Sequence, residues 1–204
     1  METGLVKKSL PAAWNQPDIY EYLLIAHPNG DVCNKVMAEK QAFYEQFKEK
    51  RAIKTKPQLT IANFLAREAM EETIIRYVQR ICNQQTAFEV MLNNYSGIPP
   101  HTIYIRVQNP EPFRQLAKEL KAVRDYIYSC SCPPAKLITN PHVSIARSLP
   151  EEIYFKALTQ YAHKTFHETF TVSELVLLRC SDQFDSFKTI NIFHLKPFQN
   201  NLFN

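Results

Sequence analysis

The sequence predicts an α+β protein built as two similar lobes related by a pseudo-twofold axis, and three observations lead there. The stretch Thr139-Asn140-Pro141-His142-Val143-Ser144-Ile145-Ala146-Arg147-Ser148-Leu149 copies Thr55-Lys56-Pro57-Gln58-Leu59-Thr60-Ile61-Ala62-Asn63-Phe64-Leu65 without a gap, 84 residues later. Both copies alternate with the two-residue period of a strand: Gln58, Thr60 and Ala62, or His142, Ser144 and Ala146, share one face, while Leu59 and Ile61, or Val143 and Ile145, point into a core. Around each copy the order strand, helix, strand, helix, strand is repeated, so residues 1–204 read as a single bilobal domain with an N-terminal extension over about 1–18.

Taken in order, residues 20–26 are an apolar run that reads as a buried strand, stopped by the turn His27-Pro28-Asn29-Gly30. Asp31 is placed to cap the next helix, 32–50, in which Val32, Val36, Phe43 and Phe47 keep approximate helical spacing among charges. The first motif strand, 55–65, follows. Residues 68–82 spell an amphipathic helix with Met70, Ile74, Ile75, Val78 and Ile81 as its apolar stripe, and 87–92 a strand. The Gly and the Pro pair of 93–100 mark a turn or lobe boundary.

The second half opens with a strand at 102–107 and a long helix at 112–128. A loop at 128–139, carrying Cys130-Ser131-Cys132-Pro133-Pro134, delivers the chain to the second motif strand, 139–149. Pro150, Glu151 and Glu152 then open a helix running to 164, with the proline and acids that a helix start favours. Strands at 170–179 and 188–195, joined by 181–186, close the chain.

At 204 residues, 45% of them hydrophobic, the chain has the material for a substantial core. A net charge of +4 and a pI near 8.7 admit a phosphate-bearing ligand but fall far below a dedicated nucleic-acid coat. The five cysteines, Cys33, Cys82, Cys130, Cys132 and Cys180, are odd in number and lack CxxC or paired Cys/His spacing, which argues against a disulfide framework and a zinc site. No metal and no cofactor are expected. Residues 1–14 lack an apolar signal core and no run approaches a membrane span, so a soluble cytoplasmic protein without membrane contact is expected.

The pattern His, apolar, Thr or Ser, apolar, found twice in a matching strand and helix context, each time after a Pro, resembles the two-histidine phosphoesterase superfamily. This is the group of 2′-5′ RNA ligases and cyclic nucleotide phosphodiesterases. The resemblance runs over roughly 20–197 and departs at one place: the first motif reads Gln58-Leu59-Thr60-Ile61, with glutamine where the superfamily has histidine. It implies an antiparallel sheet flanked by helices in each lobe, and a groove between lobes that takes an RNA end or a cyclic or linear nucleotide.

The chemistry follows from the residue types. Water opens a cyclic phosphodiester when one group takes its proton and another protonates the departing ribose oxygen, and histidine suits both roles because its pKa is near neutral. The resemblance makes His142, Ser144 and Thr60 the catalytic candidates, the hydroxyls donating to non-bridging oxygens where charge builds. Gln58 can hydrogen-bond a phosphate or a water but does not titrate in the useful range, so it reads as a substrate-binding residue, set against simple drift at a lost active site. Phe64, which alternation places on the face of Gln58 and Thr60, is expected to stack on a base. Lys54, Lys56 and Lys136 lie near the motif strands, either attracting phosphate or merely solvated. His27, His101, His163, His167 and His194 lack the motif.

Three function classes remain at this point: a phosphodiesterase or RNA-end-processing enzyme working with one histidine, a nucleotide or RNA-binding module without turnover, and a duplicated fold whose groove serves another task.

Overall fold

Residues 20–26 fall in the first strand, β1 (Ile19–Ala26), and helix α1 (Gly30–Phe47) follows the turn. Its cap is Asn29 rather than Asp31: the Asn29 Oδ1 accepts from the Val32 amide at 3.1 Å. Asp31 lies in the first turn, where its charge suits the positive end of the helix. The remaining elements are β2 (Leu59–Arg67), a 3-10 turn (Glu68–Met70), α2 (Glu71–Cys82), β3 (Phe88–Ile98), β4 (Thr102–Val107), α3 (Glu111–Glu119), α4 (Lys121–Ser129), β5 (Lys136–Leu137), β6 (His142–Ala146), α5 (Glu151–Tyr161), β7 (His167–Val172), β8 (Glu174–Cys180) and β9 (Lys188–His194). This computed structural model describes residues 18–180 and 187–198; most of the expected extension and the connection at 181–186 lie outside them.

Two antiparallel sheets result, in the orders β5-β2-β1-β8-β9 and β6-β4-β3-β7. Each carries one motif strand, as the duplication predicts, yet the lobes are not the two halves of the chain. Strand β3 leaves the first half to pair with β4 and β7, and β8 leaves the second half to pair with β1. The expected single strand at 170–179 is therefore two strands in two sheets, parted at Ser173. The polar Ser173-Glu174 mark the crossing, but apolar residues on both sides of them let the run read as one strand, because both pieces bury side chains against a core.

Two further expectations change. Residues 93–100 are not a lobe boundary, since β3 continues to Ile98 and turns directly into β4. Within this stretch Asn93 and Asn94 sit on a bulge: the register slips between Leu92 and Tyr95, and Asn94, at φ 54°, donates its amide to the Phe166 carbonyl at 2.7 Å and accepts from the Phe166 amide at 3.0 Å. The helix expected at 112–128 is two helices with a tightened joint at Leu120.

The apolar faces of the motif strands build the core as expected: Leu59, Ile61, Val143 and Ile145 are all buried, each contributing about 2 kcal/mol by its removal from water. Packing across the lobes is reciprocal. Helix α1 lies against β6, the motif strand of the other sheet, and α3 lies against β2. Each motif strand is thereby covered by a helix from the opposite half.

Candidate functional site

The two motif strands share a feature that their sequence does not announce. Along β1 and β2, Ile25 faces Thr60 and Leu24 faces Ala62, leaving Ile61 as an extra residue. Along β4 and β6, Tyr104 faces Ser144 and Ile103 faces Ala146, leaving Ile145 extra. The same bulge therefore follows the same hydroxyl in both copies. A bulge bends its strand and re-aims the side chain beside it, and beyond it the two faces exchange.

This exchange corrects the reading of Phe64. Partnered residues in an antiparallel pair point the same way, so Phe64 follows Tyr22 onto the face opposite Thr60. Its ring is 4% exposed and stacks on Tyr22, with centroids 5.3 Å apart and planes 9° apart. It is a core ring with no free face for a base. Ala62 and Ala146 move away from Thr60 and Ser144 for the same reason.

Gln58 lies just ahead of β2, half-buried, and lines a narrow cleft of about 30 Å³ with Lys40, Thr55, Lys56, Ser144 and Arg147. The cleft continues into a cavity of about 200 Å³ that shares Lys40, Thr55, Ser144 and Arg147 and adds Arg51, Lys54, Ile145 and Ala146 to its walls. Gln58 and Ser144, expected to converge, do so across the two sheets. His142 and Thr60 are half-buried and line neither space. His142 shares the Ser144 face of β6, where its ring sits 4.5 Å from that of Tyr104.

Lys40 is what the sequence reading missed. Helix α1 carries it across the lobe boundary, where it is 2% exposed; its Nζ donates to the Thr55 Oγ1 at 3.1 Å and, more weakly, to the Ser144 carbonyl at 3.5 Å. No carboxylate pairs with it among the described residues. Burial, reinforced by the charge of Arg147, pushes its pKa down to about 8. A signal for it was present: Val32, Val36, Lys40, Phe43 and Phe47 follow one helical stripe, and a lysine in the middle of a buried stripe is out of place without a task.

Arg147 and Arg51 complete the positive wall. The Arg147 Nε donates to the Ser144 Oγ at 2.7 Å, and the Arg51 Nη1 to the Ser148 carbonyl at 3.0 Å. Burial and the nearby Arg147 also hold the His142 imidazole down to about 4, so it is neutral at physiological pH. Among the described residues, the lining of both spaces carries Lys40, Arg51, Lys54, Lys56 and Arg147 and no carboxylate. Such a surface attracts an anion, and the hydroxyls and amide among the cations supply hydrogen bonds to its oxygens.

Two antiparallel sheets, each holding one of two equivalent motif strands that meet at their boundary, define the two-histidine phosphoesterase class of fold. A sequence profile of the 2′-5′ RNA ligase superfamily matches residues 30–183, and the chain belongs to that superfamily. Among solved structures, apo Escherichia coli LigT aligns with a TM-score of 0.63 at 14% identity, covering 88% of this chain and 99% of LigT. LigT complexed with 3′-AMP aligns with a TM-score of 0.61 at 14% identity, covering 87% and 99%. The protein TT0787 of Thermus thermophilus aligns with a TM-score of 0.56 at 16% identity, covering 88% and 100%. No curated protein matches the sequence.

Proposed function

We propose that the protein is a 2′-5′ RNA ligase or cyclic phosphodiesterase-like protein that holds the phosphate of an RNA end, or of a cyclic or linear nucleotide, in the cavity between its lobes. Turnover is reduced because Gln58 stands where the superfamily motif has histidine. The observation that carries this reading is Lys40, a buried cation with no carboxylate partner among the described residues, turned to a cavity it shares with Gln58, Ser144 and Arg147. A charge kept in such a place is stabilised when an opposite charge arrives. The bound state of a relative agrees, since E. coli LigT is complexed with 3′-AMP, ATP and NADP+ in its crystal structures.

In this reading Lys40 and Arg147 hold the non-bridging phosphate oxygens, Ser144 donates to them, and Gln58 orients a water or a phosphate oxygen. Thr60 and His142, which do not line the cavity, act on the part of the ligand that extends past it. His142, neutral at physiological pH, accepts a proton from the attacking water but has none to give to the leaving oxygen. The missing donor favours slow turnover and gives weight to the alternative of a binding module in the same groove. Calorimetric titration with 3′-AMP tests the site: measurable binding that weakens at least tenfold in Lys40→Met is expected, and binding indifferent to that change rejects the cavity. Incubation with 2′,3′-cyclic nucleotides then separates the slow enzyme from the binder.

A further inference from the structure

We propose that a second, basic groove, between helices α3–α4 and strand β5, takes the sugar-phosphate backbone of a single-stranded RNA whose end occupies the interlobe cavity. The proposal rests on the function argued above and extends it from a nucleotide to a strand. Arg114, Lys118, Lys121 and Arg124 form one wall of this space of about 450 Å³, while Leu137 and Thr139 help form its floor, and no carboxylate lines it among the described residues. Arg114 and Arg124 pair with carboxylates of their own helices, Glu111 at 3.2 Å and Asp125 at 2.9 Å. Lys118 and Lys121 are exposed and have no ion pair among the described residues.

The groove is joined to the motif strands by its floor. Between Leu137 and Thr139, the Ile138 amide donates to the carbonyl of Ile61, the bulge residue of β2, at 2.8 Å. Thr139 stands three residues before His142, a backbone reach of about 10 Å at most. In this proposal a strand with its terminal phosphate between the lobes runs out past the motif strands and enters the basic groove beside β5. Spaced cations over an apolar floor suit a flexible polyanion, whose phosphates meet the cations while its sugars and bases lie on the apolar surface. A compact single phosphate fills only the interlobe cavity.

The test compares a 3′-phosphorylated RNA of roughly ten nucleotides with 3′-AMP on the full chain, over a range of salt, where each phosphate contact on a single strand contributes about 0.7 to the salt slope. In Lys118→Glu/Lys121→Glu, the RNA is expected to bind at least tenfold more weakly, with the slope reduced by about 1.4, while 3′-AMP binding is unchanged. Lys156→Glu/Lys188→Glu, two exposed lysines elsewhere, controls for net charge and is expected to leave the slope near wild type. Equal losses in the two variants, or a wild-type protein that binds the RNA no more tightly than 3′-AMP, overturns the groove. Displacement of the RNA by polyglutamate at equal charge overturns it in favour of an acidic peptide. Wild-type failure to bind 3′-AMP points instead to the interlobe reading.

Discussion

Ile61 and Ile145, 84 residues apart in the chain, are each the extra residue of a β-bulge, each one step past a hydroxyl and each buried in the core. The duplication thus preserves a backbone irregularity as well as side chains. A bulge confined to one copy would be a local accommodation; its recurrence beside Thr60 and Ser144 indicates that the bend belongs to the way both strands present those hydroxyls.

The bulge predicts how Phe64 behaves. Because it faces Tyr22 in the core, Phe64→Ala should cost about 3–5 kcal/mol in urea denaturation, the usual range for a large aromatic truncated in a core. Phe64→Leu, which keeps most of the volume, should leave 3′-AMP binding at its wild-type value. Selective loss of nucleotide affinity in the leucine variant, with stability retained, would return Phe64 to the ligand and reject the register.

How far the sequence could be read follows from what these residues depend on. The gapless copy and its alternation rest on local spacing, and they located both motif strands and the apolar residues beneath them. A one-residue bulge has no local signature, because it exists only relative to the partner strand; straight alternation therefore carried Phe64 to the wrong face. Ser173 shows the same limit, since a two-residue polar break between β-prone segments says nothing about which sheet each part joins. Lys40 is different. Its interruption of the α1 stripe was legible, and only its destination across the lobe boundary required the fold.

Lys40 should oppose stability while supporting binding. Its folded pKa, about 8, lies below its unfolded value, so between these the unfolded chain holds a proton that the folded chain lacks. Wild-type stability should rise as pH climbs from about 8 toward 10.5, and Lys40→Met should abolish that rise. At neutral pH the variant should be more stable by roughly 1–3 kcal/mol, the relieved burial of charge offset by two lost hydrogen bonds. Its affinity for 3′-AMP should fall at the same time. Chemical denaturation at several pH values, paired with calorimetry, reads both; a variant that loses stability and keeps affinity would make Lys40 a purely structural residue.

His142 produces the complementary dependence on the acid side. Its folded pKa, about 4, is below the ordinary 6.5, so the unfolded chain takes up a proton first as pH falls. Stability is fully present above about 6.5 and is lost progressively toward 4, by up to about 2 kcal/mol between pH 7 and pH 5. His142→Gln should flatten that part of the profile. Direct titration of the imidazole by NMR offers an independent check, and a midpoint near 6.5 would contradict its desolvated setting beside Tyr104 and Arg147.

In the proposed reading, Gln58→His supplies the proton carrier that the site lacks. The new imidazole would enter the cleft shared by Lys40 and Arg147, two cations that favour its neutral form and so hold its pKa below about 6.5. With His142 as base losing activity below about 4, and the new histidine as acid losing it above its own pKa, cleavage of a 2′,3′-cyclic nucleotide should follow a bell whose maximum lies between these values, on the acid side of neutrality. The rate at that maximum should exceed the wild type by about 10²–10⁴-fold, the usual contribution of one positioned acid or base. Adding Lys40→Met should move the alkaline limb upward, because the buried one of the two neighbouring positive charges is gone. A Gln58→His variant that binds 3′-AMP normally and cleaves no faster would mean that the cavity has lost more than its proton carrier, leaving the protein a nucleotide or RNA binder.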